Sequence, residues 1–293
     1  MENKNCKIII EVGSTVTKAD KFDGEKVEKL KGKTIEFKKH FLESGSLNEG
    51  DVQELIEFVL NLKDTASEIY ICGTSIFRTL VDEQKMKFLS DFKRQTGCEF
   101  HIISQEQESE FTVKGATRFV NGKVCVLIGG GGSTEIAIYE DEIKENVNSK
   151  FGVIDIMHEF PDLAEDFAKT DIEDVKTFIK SKINLPNKKA DVLILAGGEH
   201  EKFARLSGIK YNKNILYEDL KSPIMMDINL RVSETRRYYE AISLDEIRNR
   251  VDDPKWWYAT RAMCAVVLVV AEAVGAKYIV PTDISMVYGL IKK

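Results

Sequence analysis

Short apolar runs recur along the chain at 7–10, 68–72, 100–103, 124–128, 135–139, 151–156, 192–195 and 278–280, and their length and β-branched content predict strands. Between them, apolar residues return every three or four positions, which predicts helices at 49–62, 82–96, 171–182, 217–220, 233–240, 243–250 and 254–274 and a short one at the end. The first is opened by Asn48 or Asp51, and the stretch up to about residue 38 reads as β-rich. Strands and helices alternate in both halves, so the pattern predicts an α/β chain with ligands at the loop ends of its sheets. At 293 residues the chain exceeds the range in which one core keeps growing. Two domains are expected, at 1–118 and 119–283, with a terminal helix at 284–293 packing back on the first.

Two glycine-centred turns punctuate the pattern: Gly13-Ser14-Thr15 after the first strand, and Gly130-Gly131-Gly132-Ser133-Thr134 after the run at 124–128. Each is followed by more strand-like sequence, so each reads as a hairpin turn. Without Cβ atoms, backbone N–H groups can converge on phosphate oxygens, and the hydroxyls add donors. Neither turn has a Gly-x-Gly-x-x-Gly spacing or a Lys-Ser/Thr ending that leads into a helix, which argues against dinucleotide and P-loop folds. One such turn is weak evidence, but two at the heads of β-rich stretches suggest duplicated half-domains. That arrangement resembles the actin, sugar kinase and Hsp70 superfamily: two ribonuclease H-like α/β domains, mixed sheets flanked by helices, and an interdomain cleft.

Composition narrows the function classes. With 43% hydrophobic and 31% charged residues, an ordinary globular chain is expected. The formal charge of −6 and the scattered basic residues leave no footprint for duplex nucleic acid. The charge-dense stretch 26–33 reads as a solvated hairpin, and Lys188-Lys189 as a solvated turn. The five cysteines lack metal-ligand spacing and read as reduced core residues. No signal-peptide pattern opens the chain, and the apolar run at 262–274 is too short to span a bilayer, so no membrane role and a cytoplasmic location are expected. His40, His101, His158 and His200 are dispersed; His101, in an apolar strand, reads as a core imidazole. Trp256 and Trp257 read as helix anchors, and Asp283, after a strand, as a candidate acid.

Taken in order, Ile-Glu-Val-Gly-Ser-Thr at 10–15, Thr74-Ser75 with Arg78, Ile102-Ile-Ser-Gln-Glu-Gln-Glu108 with Gly115, Gly-Gly-Gly-Ser-Thr-Glu135, Gly197-Gly198 and Thr282-Asp283 before Gly289 resemble the exopolyphosphatase/guanosine pentaphosphatase family along essentially the whole chain. The match covers the two actin-like domains; longer members carry further carboxy-terminal domains. The resemblance implies hydrolysis of a terminal phosphoanhydride in polyphosphate, guanosine pentaphosphate or a nucleotide, with Mg2+, in a cleft between the domains, and it implies a homodimer. By position, Gly13, Ser14 and Thr15 hold one phosphate, Thr74, Ser75 and Arg78 the next, and Gly130, Gly131, Gly132, Ser133 and Thr134 another, with Gly197 and Gly198 joining the phosphate-binding set. Glu11 and Glu135 are the metal candidates, and Glu135 lies beside the metal or the attacking water.

The departures fall on the groups that do chemistry. Family members have Asp where this chain has Glu11 and Ile128, and Arg-Glu where it has Val287-Tyr288. The family's general-base position falls on Gln107, an amide that cannot usefully accept a proton, and losing a base costs on the order of 10²–10⁴ in rate. Glu106 and Glu108 are the stand-ins, with side chains expected to point roughly away from the site. The binding residues are kept better than the catalytic ones, which implies weak or lost turnover and a phosphate-ligand sensor as the alternative. Gly13 to Lys18 is also similar to the first phosphate loop of activator or reactivase ATPases; the Ser104–Glu108 segment with Gly115 favours the phosphatase-like family.

Overall fold

The computed structural model describes residues 6–24, 26–30, 32–118, 120–206, 212–213, 224–249 and 256–291. The chain divides into two compact units, residues 1–108 and 109–292. The helix expected at 217–220 lies outside the described residues.

The first unit runs β1 (Lys7–Val12), β2 (Val16–Phe22), β3 (Val27–Lys29), β4 (Lys33–Thr34), α1 (Phe37–Ser44), α2 (Glu49–Lys63), β5 (Glu68–Gly73), a 3₁₀ turn (Ser75–Thr79), α3 (Asp82–Thr96), β6 (Phe100–Ile102) and the start of α4 (Gln105–Ala116). Its sheet has the order β3-β2-β1-β5-β6, with β4 on β2. β1 and β2 are antiparallel, whereas β1, β5 and β6 are parallel. One face, with Ile8, Ile10, Val12, Ile71 and Phe100, packs against Phe37, Leu55, Val59, Phe88 and Phe92 from α1, α2 and α3. α2 begins where Asn48 accepts hydrogen bonds from the amides of Gly50 and Asp51. His101 is a correction to the sequence reading: it is exposed and stacked on Tyr70, ring centroids 4.8 Å apart, because β6 is a sheet edge.

The second unit continues with β7 (Val124–Gly129), β8 (Thr134–Glu140), β9 (Glu142–Ser149), α5 (Val153–Glu159), α6 (Ile172–Lys182), β10 (Val192–Ala196), α7 (His200–Leu206), β11 (Asn212–Lys213), β12 (Ile224–Asp227), α8 (Ile228–Glu240), α9 (Leu244–Arg248), α10 (Thr260–Val274), β13 (Tyr278–Pro281) and α11 (Val287–Leu290). Its sheet order is β11-β12-β13-β10-β7-β8-β9. The succession β9-β8-β7-β10-β13 repeats the hairpin-plus-parallel plan of β3-β2-β1-β5-β6, so the duplication read from the glycine turns is a duplication of sheet topology. The buried residues of α5, α6 and α10 form the main core on one face of this sheet. Val113, Ala116 and Ile284 pack with the residues of the other face.

Residues 151–156, expected as a strand, are instead loop and the first turn of α5; Val153, Ile154, Ile156 and Met157 are buried, and the helical period shows only in Asp155, His158 and Glu159 on the opposite face. α10 is anchored by Arg261, wholly buried, whose five N–H donors meet the carbonyls of Tyr238, Leu163, Glu165, Asp166 and Ile242 at 2.7–3.1 Å. The five cysteines are all free and buried. Among the described residues, no helix is long and apolar enough to cross a membrane.

Candidate functional site

The two glycine turns are built alike. In the first unit the Gly13 amide donates to Val16 O at 3.0 Å, which closes a two-residue turn over Ser14 and Thr15. The carbonyls of Ser14 and Thr15 accept from the amides of Lys38 and Ile35, each at 2.9 Å. In the second unit the Gly130 amide donates to Ser133 O at 2.9 Å over Gly131 and Gly132, and the carbonyls of Gly130 and Gly131 accept from the amides of Val153 and Ile154 at 3.1 and 3.0 Å. Each turn therefore has two carbonyls pinned by the chain leading into a helix, which fixes its peptide planes before any ligand arrives.

Gly152 is part of this device and was not singled out in the sequence. A Cβ there would lie 2.5 Å from Gly130 O and 2.6 Å from both Gly131 C and Gly132 N. The only sequence signal was one glycine ahead of an apolar run. Thr134 donates its hydroxyl to Phe151 O at 2.8 Å, so it braces the turn.

Around the first turn, the Ser14 hydroxyl accepts from the Ile76 amide at 3.3 Å and the Thr74 amide donates to Val12 O at 3.0 Å, tying the 3₁₀ turn to the hairpin. Ser75 holds φ 38°, a left-handed conformation unusual for serine, in a largely buried position. Three buried polar atoms at or next to this turn, Glu11 Oε2, Thr15 Oγ1 and Thr17 Oγ1, have no hydrogen-bond partner among the described residues. Such atoms are rare unless a ligand or water completes them.

The Arg78 guanidinium donates from Nη1 to Glu108 Oε2 at 2.7 Å and to Ile103 O at 3.4 Å. The Glu108 carboxylate is buried against it. Burial pushes its pKa up, Arg78 opposes that, and the Glu11 charge adds to the rise. Gln107 is instead exposed: its Oε1 accepts from the Ser104 amide at 2.9 Å while Ser104 Oγ accepts from the Gln107 amide at 3.1 Å. This Ser-x-x-Gln capping box starts α4, and an amide fills it as well as a carboxylate. Glu106 is exposed.

The β1–β2 register puts Glu11 opposite Lys18 and Ile9 opposite Asp20, so Glu11, Lys18 and Asp20 share one sheet face. Lys18 Nζ lies 3.9 Å from Glu11 Oε1. Burial raises the Asp20 pKa to about 6; Lys29 and Lys18 oppose the rise and Glu11 adds to it. Cys72, opposite Glu11 on β5, has its thiol pKa pushed far up by burial and by Glu11 and Glu108. Sequence reading missed Lys18 and Asp20, although the alternation after the first turn could have placed both on the Glu11 face.

In the second unit Glu135 is almost fully buried on β8, opposite Ile128. The third glycine turn is held from the segment just after β13: the Gly197 amide donates to Ile284 O at 2.7 Å and Thr282 Oγ1 donates to Leu195 O at 2.7 Å. Asp283, read as a candidate acid, has Oδ1 accepting from the amides of Glu201 and Lys202 at 2.9 and 3.3 Å, which caps α7. Gly198 stands at the same turn, where a Cβ would meet the His200 ring.

These features define a duplicated actin-like α/β protein with one pinned glycine turn in each unit. A family model described as the Ppx/GppA phosphatase family matches residues 26–243, and the chain belongs to that family. Among solved structures, it is similar to an exopolyphosphatase from Cytophaga hutchinsonii (14% identity, TM-score 0.78, covering 97% of this chain and 96% of that one). It is also similar to the Aquifex aeolicus Ppx/GppA phosphatase in its type II variant (18% identity, TM-score 0.68, 97% of both chains). At these identities the likeness concerns the fold. A comparison with curated proteins found no match.

Proposed function

We propose that this chain hydrolyses the terminal phosphoanhydride bond of an inorganic polyphosphate or of a nucleotide polyphosphate such as guanosine pentaphosphate, with Glu108 as general base. The observation that carries the reading is the buried Glu108–Arg78 pair beside the first glycine turn. A carboxylate whose pKa burial has raised is a better proton acceptor near neutral pH, and a guanidinium fork suits phosphate oxygens. In the reaction, the oxygen of a water forms a bond to the terminal phosphorus, the bridging P–O bond breaks toward the rest of the chain, and Glu108 takes the proton of the water.

Positioning and charge neutralisation carry most of phosphoryl transfer. For this we assign the backbone amides of Ser14 and Thr15 in the first turn and the buried hydroxyl of Thr15. Against the sensor reading, which was based on Gln107 in the base position, we count that Gln107 serves the helix cap while Glu108 pairs with Arg78. The free, buried cysteines suit the reducing cytoplasm, where we place the protein.

The test is orthophosphate release from long-chain polyphosphate, and separately from guanosine pentaphosphate, followed in time against an enzyme-free control. Sustained release from either substrate is expected; binding without release from both would restore the sensor reading.

A further inference from the structure

Magnesium comes with the family resemblance, and the donor atoms of each unit decide whether a resident ion fits. Mg2+ asks for oxygen ligands in near-octahedral order, with at least one or two carboxylates beside substrate phosphates. In the second unit, Glu135 is the one carboxylate of the stretch from β7 through the turn to the head of β8. Its cross-strand neighbour is the apolar Ile128, whose side chain fills the approach to Gly197: a Cβ there would lie 2.8 Å from Ile128 Cγ2.

In the first unit the carboxylates already face cations. Glu108 is 2.7 Å from Arg78, Glu11 is 3.9 Å from Lys18, and Asp20 stands opposite Lys29 on β3. A divalent ion at Glu11 would sit against an ammonium group, and like charges at that range repel strongly in a half-buried site. Among the described residues, no group of three or more His, Cys, Asp or Glu side chains is arranged to hold a metal ion. The donor set does not fit a resident magnesium ion.

We infer that the phosphoanhydride ligand is bound without a divalent ion, its charge being met by the side chains of Lys18 and Arg78. This rests on the phosphoanhydride reading above and specifies the form of the ligand, the free polyanion in place of its magnesium complex. Both cations stand beside the turn expected to hold phosphate: Lys18 is two residues into β2 beyond it, and Arg78 lies on the 3₁₀ turn that the Ser14 hydroxyl anchors. Glu11 and Glu108 hold these cations near the site, one loosely and one tightly, as the two distances show. The Lys18 side chain is 24% exposed, so its ammonium can reach a ligand arriving from solvent.

Sodium tripolyphosphate titrated calorimetrically into the full chain, once in EDTA and once in magnesium chloride, tests the inference. The dissociation constant in EDTA should be equal to or lower than that in magnesium. Lys18→Gln should weaken binding about tenfold in both media, whereas Lys18→Arg, which keeps the charge, should bind within a few-fold of wild type. Thermal melts of both variants confirm that they fold. Binding seen only with magnesium overturns the inference and leaves the phosphoanhydride reading standing; no binding in either medium overturns both. Wild-type affinity in Lys18→Gln overturns the assignment of charge to Lys18.

Discussion

Between Gln107 and Glu108 lies a turn of about 100° around the α4 axis, and that rotation separates a helix cap from a buried carboxylate. Matching this segment to a family pattern by position alone put the base on Gln107; local physics favours another assignment, since Ser104 and Gln107 have the spacing of a capping box and were legible as one. Asp20 is the other residue whose chemistry depends on its surroundings. Its folded pKa, about 6, lies above its ordinary 3.8, so the folded chain holds the proton more tightly. Folding stability therefore falls as pH rises from about 4 to about 6, and the deficit persists above that window. At about 1.4 kcal/mol per pH unit the displacement amounts to about 3 kcal/mol. Asp20→Asn should accordingly raise the melting temperature at pH 8 and change it little at pH 4; equal effects at both would show that the shift is absent.

At the scale of elements, each unit has a hairpin whose turn is pinned from behind. Sequence showed the hairpins, because glycine and hydroxyl residues after β-branched runs have few other uses, but it did not show the pins. Those are backbone amides of Ile35, Lys38, Val153 and Ile154, which carry no side-chain signature. α5 reads as a strand because its first residues are apolar and its exposed polar positions, His158 and Glu159, come only at its end, and α1 lies mostly beyond the β-rich start without an assignment. α4 gave no clean period either, since Glu108, Ser109 and Thr112 are polar and turned inward. The pinning makes Gly152 a sensitive position. In Gly152→Ala the added methyl would collide with backbone atoms of the 130–132 turn and displace it. Tripolyphosphate affinity should fall at least about tenfold, equivalent to ~1.4 kcal/mol, with the far-ultraviolet circular dichroism spectrum unchanged. Wild-type affinity would mean that the second turn does not touch the ligand.

For the molecule as a whole, duplication was the most legible property. Two apolar strands, each leading through a glycine turn into a second strand, gave away two units of one plan, and the strand orders repeat accordingly. What each unit contributes chemically was harder to read, because it depends on pairings distant in sequence, such as Arg78 with Glu108 and Asp283 with the amides that open α7. The first unit holds the paired charges of Arg78 and Glu108, so proton transfer should fail when that unit loses its buried carboxylate. The most direct measurement is the initial rate of orthophosphate release from long-chain polyphosphate by wild type, Glu108→Gln and Gln107→Glu at one pH. A loss on the order of 10²–10⁴ in Glu108→Gln, with Gln107→Glu within a few-fold of wild type, is the expected result. Full activity in Glu108→Gln, or a large gain in Gln107→Glu, would contradict the assignment of the base to Glu108.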